Sequence, residues 1–345
     1  MLIKIVFFGS TTDSVIVLEK LSSPSICQFV NLSICCIVTQ PPRPVGRKQI
    51  LTPTPVEEWA KGTFLRPFVA NRSVKKVSND LRIRPKAQNI PVLSFPSSSS
   101  HPSLFSDEQT VIDALQPFKA DLLISASFGQ RIPMETIQAA PFGGLNVHPS
   151  LLPRWRGADP VPWAIMTGDA QTGVTIVTLS KNFDAGAIIA QKKVAITEKD
   201  FADPLRTRLF ELGTQLLAGV LPNFLASKGV AFKESPDHKE PYARRLTRDD
   251  GFEPWEALQK ALEDPEEAQR IDRKFRALTP WPGLWTTIAT QARPATQVHS
   301  KTKDKRLKIL SLHVSPIPYH LSLDTVQLEG KKPVPFAQFK NAYLR

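Results

Sequence analysis

Leu2-Ile3-Lys4-Ile5-Val6-Phe7-Phe8-Gly9 decides how this chain is read: six apolar residues in seven positions, stopped at once by a glycine. A run this short and this continuous predicts a strand covered on both faces. Gly9 to Asp13 predicts a turn, Ser14 to Leu21 carries apolar residues at helical spacing, and Ile34 to Val38 is a second apolar run. Strand, turn, helix, strand is the beginning of a parallel α/β sheet. The pattern continues with Leu122 to Ala126, Leu145-Asn146-Val147 and Val174 to Leu179 as strands, and Asp203 to Leu225 as a helix that closes the first domain. In such sheets, chemistry gathers at the carboxyl ends of strands.

The whole chain of 345 residues is long enough for two cores, and 41% apolar with 22% charged residues describes a globular protein. No apolar run approaches the roughly 18 residues of a membrane span, and no Arg-rich, Ser-rich leader precedes the first strand. Cys27, Cys35 and Cys36 have no CxxC spacing and no His close in sequence, so neither a metal nor a disulfide framework is expected. The net charge is +12, and residues 268–345 alone hold 14 Lys or Arg against 4 Asp or Glu. A basic terminal region of this kind attracts polyanions.

The chemistry-bearing residues lie at the predicted strand ends. Asn146-Val147-His148-Pro149-Ser150-Leu151-Leu152-Pro153-Arg154-Trp155-Arg156-Gly157 follows one strand, and Phe183-Asp184-Ala185-Gly186 follows another. Alternation along a strand puts Asn146 and His148 on one side. There, an amide N–H can face a developing oxyanion, an imidazole can exchange a proton near neutral pH, and a carboxylate can orient it or relay a proton. Each also has a bland reading, since Asn and Asp cap turns and a lone His is commonly structural. Ser150, His148 and Asp184 contain the groups of a hydrolase triad, but no G-x-S-x-G elbow is present. Nor is there a G-x-G-x-x-G or Walker-type loop. Thr39-Gln40-Pro41-Pro42-Arg43-Pro44-Val45-Gly46-Arg47-Lys48 puts three cations on a proline-stiffened loop, either a solvated surface or an arm for a phosphate backbone.

Together these segments resemble the methionyl-tRNA formyltransferase family over nearly the whole chain. The motif Asn-x-His with Ser-Leu-Leu-Pro-x-x-Arg-Gly, Gly-Val-Thr and Asp-x-Gly stands here as Asn146, His148, Ser150 to Pro153, Arg156-Gly157, Gly173-Val174-Thr175 and Asp184-Ala185-Gly186. That core alone marks the wider group of folate-dependent formyltransferases and hydrolases. The Arg43 loop, Tyr242-Ala243-Arg244-Arg245-Leu246, the stretch Arg276 to Trp285, and Gln327 to Pro333 narrow the resemblance.

The resemblance implies transfer of a formyl group from 10-formyltetrahydrofolate to the α-amine of methionyl initiator tRNA, without a metal. Asn146 and His148 would stabilise the oxyanion, and Asp184 with His148 would manage the proton. Phe128, Gly129, Gln130, Ile132 and Pro133, with Ser150, Leu151, Leu152 and Pro153, would line the folate and substrate pocket. Arg43, Arg47, Lys48, Lys331 and Lys332 would contact tRNA. The expected fold is a Rossmann-like, mostly parallel α/β domain over 1–227 with an insertion at about 70–110. A linker at 228–240 and a small, strand-rich, OB-like β-barrel over 241–345 would follow. A monomer without membrane association is expected, and the long basic stretch suggests the mitochondrial matrix, with the cytoplasm the alternative for a bacterial form. Three departures stand out: Ala185 and Ala187 flank Gly186 where the family has Thr and an acidic residue, and Asp159 replaces a small residue. A formyl-folate hydrolase, a small-amine formyltransferase and an inactive tRNA-binding relative are the competing readings.

Overall fold

The computed structural model describes residues 2–24, 26, 30–46, 48–64, 90–227, 240–289, 304–316 and 319–344. Its compact units do not follow chain order. One comprises Met1–Ala158, Thr172–Val194 and Arg206–Tyr242; the other comprises Asp159–Gln171, Ala195–Leu205 and Ala243–Arg345. Most of the expected linker, 228–239, and the basic residues 70–89 lie outside the described residues.

The strands in chain order are β1 (Ile3–Phe8), β2 (Leu32–Thr39), β3 (Arg43–Val45), β4 (Ile50–Thr52), β5 (Val92–Ser94), β6 (Leu122–Ala126), β7 (Gly144–His148), β8 (Arg156–Gly157), β9 (Gln171–Thr178), β10 (Ile188–Ala195), β11 (Tyr242–Ala243), β12 (Leu284–Ala289), β13 (Asp304–Pro316), β14 (Tyr319–Leu328) and β15 (Val334–Pro335). The first unit is built on a seven-stranded sheet in the order β10-β9-β7-β6-β1-β2-β5. Pairs β1–β2, β1–β6, β2–β5 and β6–β7 are parallel, and β7–β9 is antiparallel. This is the expected mostly parallel sheet. Residues 92–94, within the span expected as an insertion, are a sheet strand, and Phe95 and Phe105 behind it are buried.

Both faces of the sheet are covered, which is why β1 is apolar throughout except at the exposed Lys4. Ile5 and Phe7 join Leu18, Leu122, Ile124 and Phe210 in one core, while Val6 and Phe8 join Val38, Leu123 and Phe128 in another. Each such fully buried side chain contributes roughly 1.5–3 kcal/mol. The helix Ala202–Ala226 is long and apolar enough to cross a membrane by length and composition. Its Phe210, Leu217, Leu221 and Phe224 are instead buried in the first of these cores.

The close passage from β1 to the helix Thr12–Leu21 places the sheet's carboxyl edge. A Cβ on Gly9 would lie 2.6 Å from Ser14 Cβ, so only glycine admits this approach. Thr11 and Ser14 form a capping box, and the Ser14 hydroxyl donates 2.6 Å to Ala126 O at the end of β6. Registers Phe8↔Val38, Phe8↔Ser125 and Ser125↔Asn146 then bring the ends of β2, β1, β6 and β7 to one edge.

The second unit contains a four-stranded antiparallel sheet, β12-β13-β14-β15. Leu307, Ile309, Leu321 and Val326 of the sheet share a core with Ile271, Phe275 and Phe339 from helices. Helices that the strand-rich reading did not name accompany this sheet: Trp255–Lys260, Pro265–Leu278 and Phe336–Tyr343. In the longest, Asp264 accepts from Glu266 N and Glu267 N, Pro265 occupies the first turn, and Ala268, Ile271, Phe275 and Leu278 form the buried stripe.

Candidate active site

Strand β7 delivers Asn146 and His148 to the carboxyl edge, and antiparallel β9 lies beside it with Thr175 opposite His148. Asp184 comes from the turn after β9. Its side chain is 8% exposed and that of His148 5%. Asn146 Nδ2 donates to Asp184 Oδ1 at 3.0 Å, His148 Nδ1 lies 3.3 Å from the same oxygen, and Gly157 N donates to Oδ2 at 3.1 Å. Four residues 38 positions apart at most are thereby locked into one polar cluster. A largely buried carboxylate needs such partners.

Asp184 has φ of 54°, a left-handed conformation that Asp tolerates better than most residues but still at a cost. The turn behind it has no slack. A Cβ on Gly186 would fall 1.9 Å from Thr178 O. Thr178 N donates to Ala187 O at 2.9 Å and Ala187 N to Thr178 Oγ1 at 2.8 Å. Ala185 N contacts Asn182 O at 3.4 Å. The backbone, and not the side chains of Ala185 and Ala187, therefore holds the carboxylate in place.

The second ring nitrogen of His148, Nε2, lies 2.9 Å from Trp155 O. A carbonyl only accepts, so Nε2 carries the hydrogen. Trp155 and Gly157, with φ of 62° and 115°, thus turn a carbonyl to His148 and an N–H to Asp184 from one short segment. Tyr242 stands beside this segment, on the strand paired with Arg156–Gly157. Burial and then the charge of Asp184 push its phenol pKa up.

Ser150 is fully buried and its hydroxyl donates to Arg154 O at 2.9 Å, not to His148. That bond holds a loop and leaves no triad geometry. Thr175 Oγ1 donates to Ser150 O at 2.6 Å and accepts from Leu152 N at 3.2 Å and Gln191 Nε2 at 3.0 Å. Gln191 also donates to Leu152 O at 2.8 Å. The loop from Ser150 to Pro153 is thus pinned to β9 and β10, with Leu151 so close that a Cβ on Gly173 would meet it at 2.5 Å.

The neighbouring turn after β6 has Ser127 and Gly129 with φ of 49° and 82°. Phe128 packs edge-on against Phe8 at 5.3 Å, and its carbonyl accepts from Gln40 Nε2 at 3.0 Å. Ile132 is buried and Pro133 precedes the helix Met134–Ala139. Gln130 is buried, donates to Ser97 Oγ at 3.2 Å, and its Oε1 has no hydrogen-bond partner among the described residues.

Arg43 and Lys48 are exposed on or beside the β3–β4 hairpin, where Val45, Ile50 and Leu51 are exposed as well. Arg47 lies outside the described residues. Lys331 and Lys332 are exposed in the second unit. There also, Asp159 Oδ2 accepts from Leu246 N at 2.7 Å, so this unusual carboxylate secures backbone. Sequence reasoning did not single out the Trp155 carbonyl, the Gly157 N–H or Gln191; backbone groups carry no residue-type signal, and Gln191 sits on a half-exposed strand.

Among the described residues no group of His, Cys, Asp and Glu is arranged to hold a metal ion. Residues 69–221 match the family described as formyl transferase, and residues 265–344 match its C-terminal domain. Methionyl-tRNA formyltransferase of Listeria welshimeri is 34% identical over 285 residues, covering 83% of this chain and 75% of that protein. The enzyme of the same name from Enterococcus faecalis is 33% identical over 284 residues, covering 82% and 75%. Among solved structures, a 4-N formyltransferase from Francisella tularensis shares the fold, with a TM-score of 0.53 at 16% identity over 82% of this chain and 91% of that one. Motif, fold and identity over most of both chains agree: the chain belongs to the methionyl-tRNA formyltransferase family.

Proposed function

We propose that Asn146, His148 and Asp184 carry out the transfer of a formyl group from 10-formyltetrahydrofolate to the α-amine of methionyl initiator tRNA. The observation that carries this is the convergence of Asn146, His148 and Gly157 on the Asp184 carboxylate. As the amine attacks the formyl carbon, Asn146 offers its second amide hydrogen to the developing oxyanion, the first being held by Asp184. Asp184, with the His148 ring beside it, receives the proton that the amine must shed and passes it toward the leaving nitrogen. Both ring nitrogens of His148 are engaged in this structure, which supports a role in proton sharing more than direct oxyanion contact.

Bound folate supplies the activated formyl group. The turn Phe128-Gly129-Gln130 with Ile132 and Pro133, and the pinned loop Ser150 to Pro153, are the residues we assign to its pocket. The buried, unmatched Gln130 Oε1 fits this reading, since such an acceptor gains most from a ligand N–H.

We assign the tRNA to two basic regions: the β3–β4 hairpin with Arg43, Arg47 and Lys48, and the second unit with Lys331 and Lys332. Phosphate contacts of this kind make affinity fall with salt. The long basic stretch at 70–110 supports a mitochondrial location, and we expect a monomer.

The test is formylation of charged initiator and elongator tRNA with 10-formyltetrahydrofolate. Asp184→Ala should abolish it, and Arg43→Ala should weaken productive tRNA binding while sparing folate binding. Absence of tRNA formylation by the wild-type protein, with formate released instead, would replace this reading with that of a hydrolase.

A further inference from the structure

Strand β13 alternates apolar with cationic residues. Leu307 and Ile309 lie in the core of the second unit, with Leu284 and Ile288 of β12 and Val326 and Leu328 of β14. Arg306 and Lys308 fall on the opposite face by alternation, as do Trp285 on β12 and Gln327 on β14. Registers Trp285↔Lys308 and Lys308↔Gln327 set three of these in one row across three strands, about 10 Å from end to end. Gln327 Nε2 donates to Lys331 O at 3.0 Å, which hangs the turn carrying Lys331 and Lys332 at the end of that row. Lys308, Lys331 and Lys332 are all exposed.

Arg306 is held differently from these lysines. Its guanidinium carbon lies 4.5 Å from the centroid of the Trp285 ring. That ring is itself fixed, since Trp285 Nε1 donates to Arg248 O at 2.9 Å and the Phe252 ring packs against it at 4.9 Å. Two carboxylates flank the strand and neither reaches the guanidinium: Glu329 Oε2 accepts from the backbone Arg306 N at 3.4 Å, and Asp304 is exposed two residues earlier. Among the described residues the guanidinium has no ion pair and no hydrogen bond, and its Nε is buried without a partner. A planar fork of donors is thus immobilised by an aromatic ring while its hydrogen bonds remain available to an oxyanion.

Resting on the tRNA reading above, we propose that this outward row, Arg306, Lys308, Lys331 and Lys332 beside Trp285, is a track for the phosphodiester backbone of the tRNA, with Arg306 as its fixed anchor. Charge complementarity selects the occupant, because residues 268–345 hold 14 Lys or Arg against 4 Asp or Glu. The spacing selects it further. Cations laid along a row match a chain of phosphates, whereas a single small anion needs them to converge on one point. The stacked arginine loses little freedom on pairing with a phosphate, and the exposed lysines act as point charges along the same path.

The test is equilibrium binding of uncharged initiator tRNA to the full chain, followed from about 50 to about 200 mM salt. Methionine at position 306 keeps an unbranched apolar chain over Trp285 while removing the charge. Arg306→Met and Lys308→Gln should each weaken binding by roughly threefold or more near 0.1 M salt, and each should lower the slope of log affinity against log salt by about one. Arg306→Lys, a point charge without the fork, should keep the slope and lose part of the affinity. Lys340→Gln removes the same charge from the helix Phe336–Tyr343, whose Phe339 packs into the core on the other side of the sheet; it should change neither quantity. Urea unfolding of each variant is measured alongside.

Unchanged affinity and slope in Arg306→Met and Lys308→Gln would overturn the proposal. So would an equal effect of Lys340→Gln, which would reduce binding to overall charge. A loss confined to Arg306→Met and matched by easier unfolding, with Lys308→Gln silent, would make Arg306 a cover for Trp285 and overturn it too. In each of these cases wild-type binding and formylation of tRNA leave the proposed function intact; a wild-type protein that binds no tRNA would overturn both.

Discussion

Gly186→Ala adds one carbon outside the polar cluster itself, yet it should cripple the site. The new Cβ would stand 1.9 Å from Thr178 O and 2.8 Å from Thr178 C. A carbon and a carbonyl oxygen approach no closer than about 3.3 Å, so the turn must retreat by about 1.4 Å. Both contacted atoms are backbone and cannot rotate away. The retreat breaks or stretches two hydrogen bonds, Thr178 N to Ala187 O and Ala187 N to Thr178 Oγ1. At about 1 kcal/mol each they predict a loss of about 2 kcal/mol, within the range of about 1–3 kcal/mol for overpacking. Asp184 precedes Gly186 by two residues and rides on this turn, and a displacement near 1 Å at a reacting group costs on the order of 100-fold in rate. The assay is kcat for tRNA formylation beside urea unfolding. Gly219→Ala is the matched control: nothing lies within 4 Å of its Cβ, and it sits inside the helix Ala202–Ala226. It should stabilise by about 1 kcal/mol and leave kcat alone. A Gly186→Ala enzyme with kcat within threefold of wild type would refute the claim that this turn positions the carboxylate.

Other perturbations separate the roles of neighbouring groups. Asn146→Ala should lower kcat on the order of 100- to 1000-fold, as for the loss of one oxyanion donor, with little change in KM for tRNA. Ser150→Ala should keep turnover within tenfold and lose about 1 kcal/mol of stability through its bond to Arg154 O; a dead enzyme that still binds folate would instead point to a nucleophilic serine. The Asp250 carboxyl is pulled down to about 2, chiefly by its hydrogen bond with Arg244, from 3.8. Its folded value lies below the unfolded one, so its stabilising effect is present above about pH 4 and fades as pH falls toward 2. Urea unfolding should accordingly show Asp250→Asn less stable than wild type at pH 7 and indistinguishable near pH 2. Burial pushes the Cys36 thiol up to about 12, so mass spectrometry after brief alkylation at pH 8 should find Cys36 unmodified in the folded protein.

The sheet was legible because burial on both faces writes itself into sequence as nearly unbroken apolar runs, as in Ile3–Phe8, interrupted only at Lys4, and Leu122–Ala126, interrupted only at Ser125. Strand β10 was not, since Lys192 and Lys193 face outward and break the pattern. The helix Pro265–Leu278 was legible in principle: Ala268, Ile271, Phe275 and Leu278 recur at spacings of three and four behind an Asp cap. Its heavy charge hid that stripe among polar residues. Of the site, Asn146, His148 and Asp184 could be named from residue types alone. The Trp155 carbonyl and Gly157 N–H could not, because a backbone group becomes functional only through the φ angles around it, and a tryptophan at 62° has no sequence signature.

The hydrogen bonds around His148 carry the argument one step further. Nε2 must donate to Trp155 O, because that oxygen has nothing to give. A neutral ring then presents a bare Nδ1 to Asp184 Oδ1, two acceptors 3.3 Å apart and mutually repulsive. One added proton between them turns the repulsion into a charge-assisted bond. On the mechanism proposed above, the proton shed by the attacking amine is the one that completes this pair. Asn146, already donating to the same Oδ1, keeps the oxygen facing the ring while its free hydrogen remains for the oxyanion. On that proposal, proton uptake and oxyanion stabilisation both depend on a single carboxylate oxygen, and a shift of Asp184 should disturb both at once.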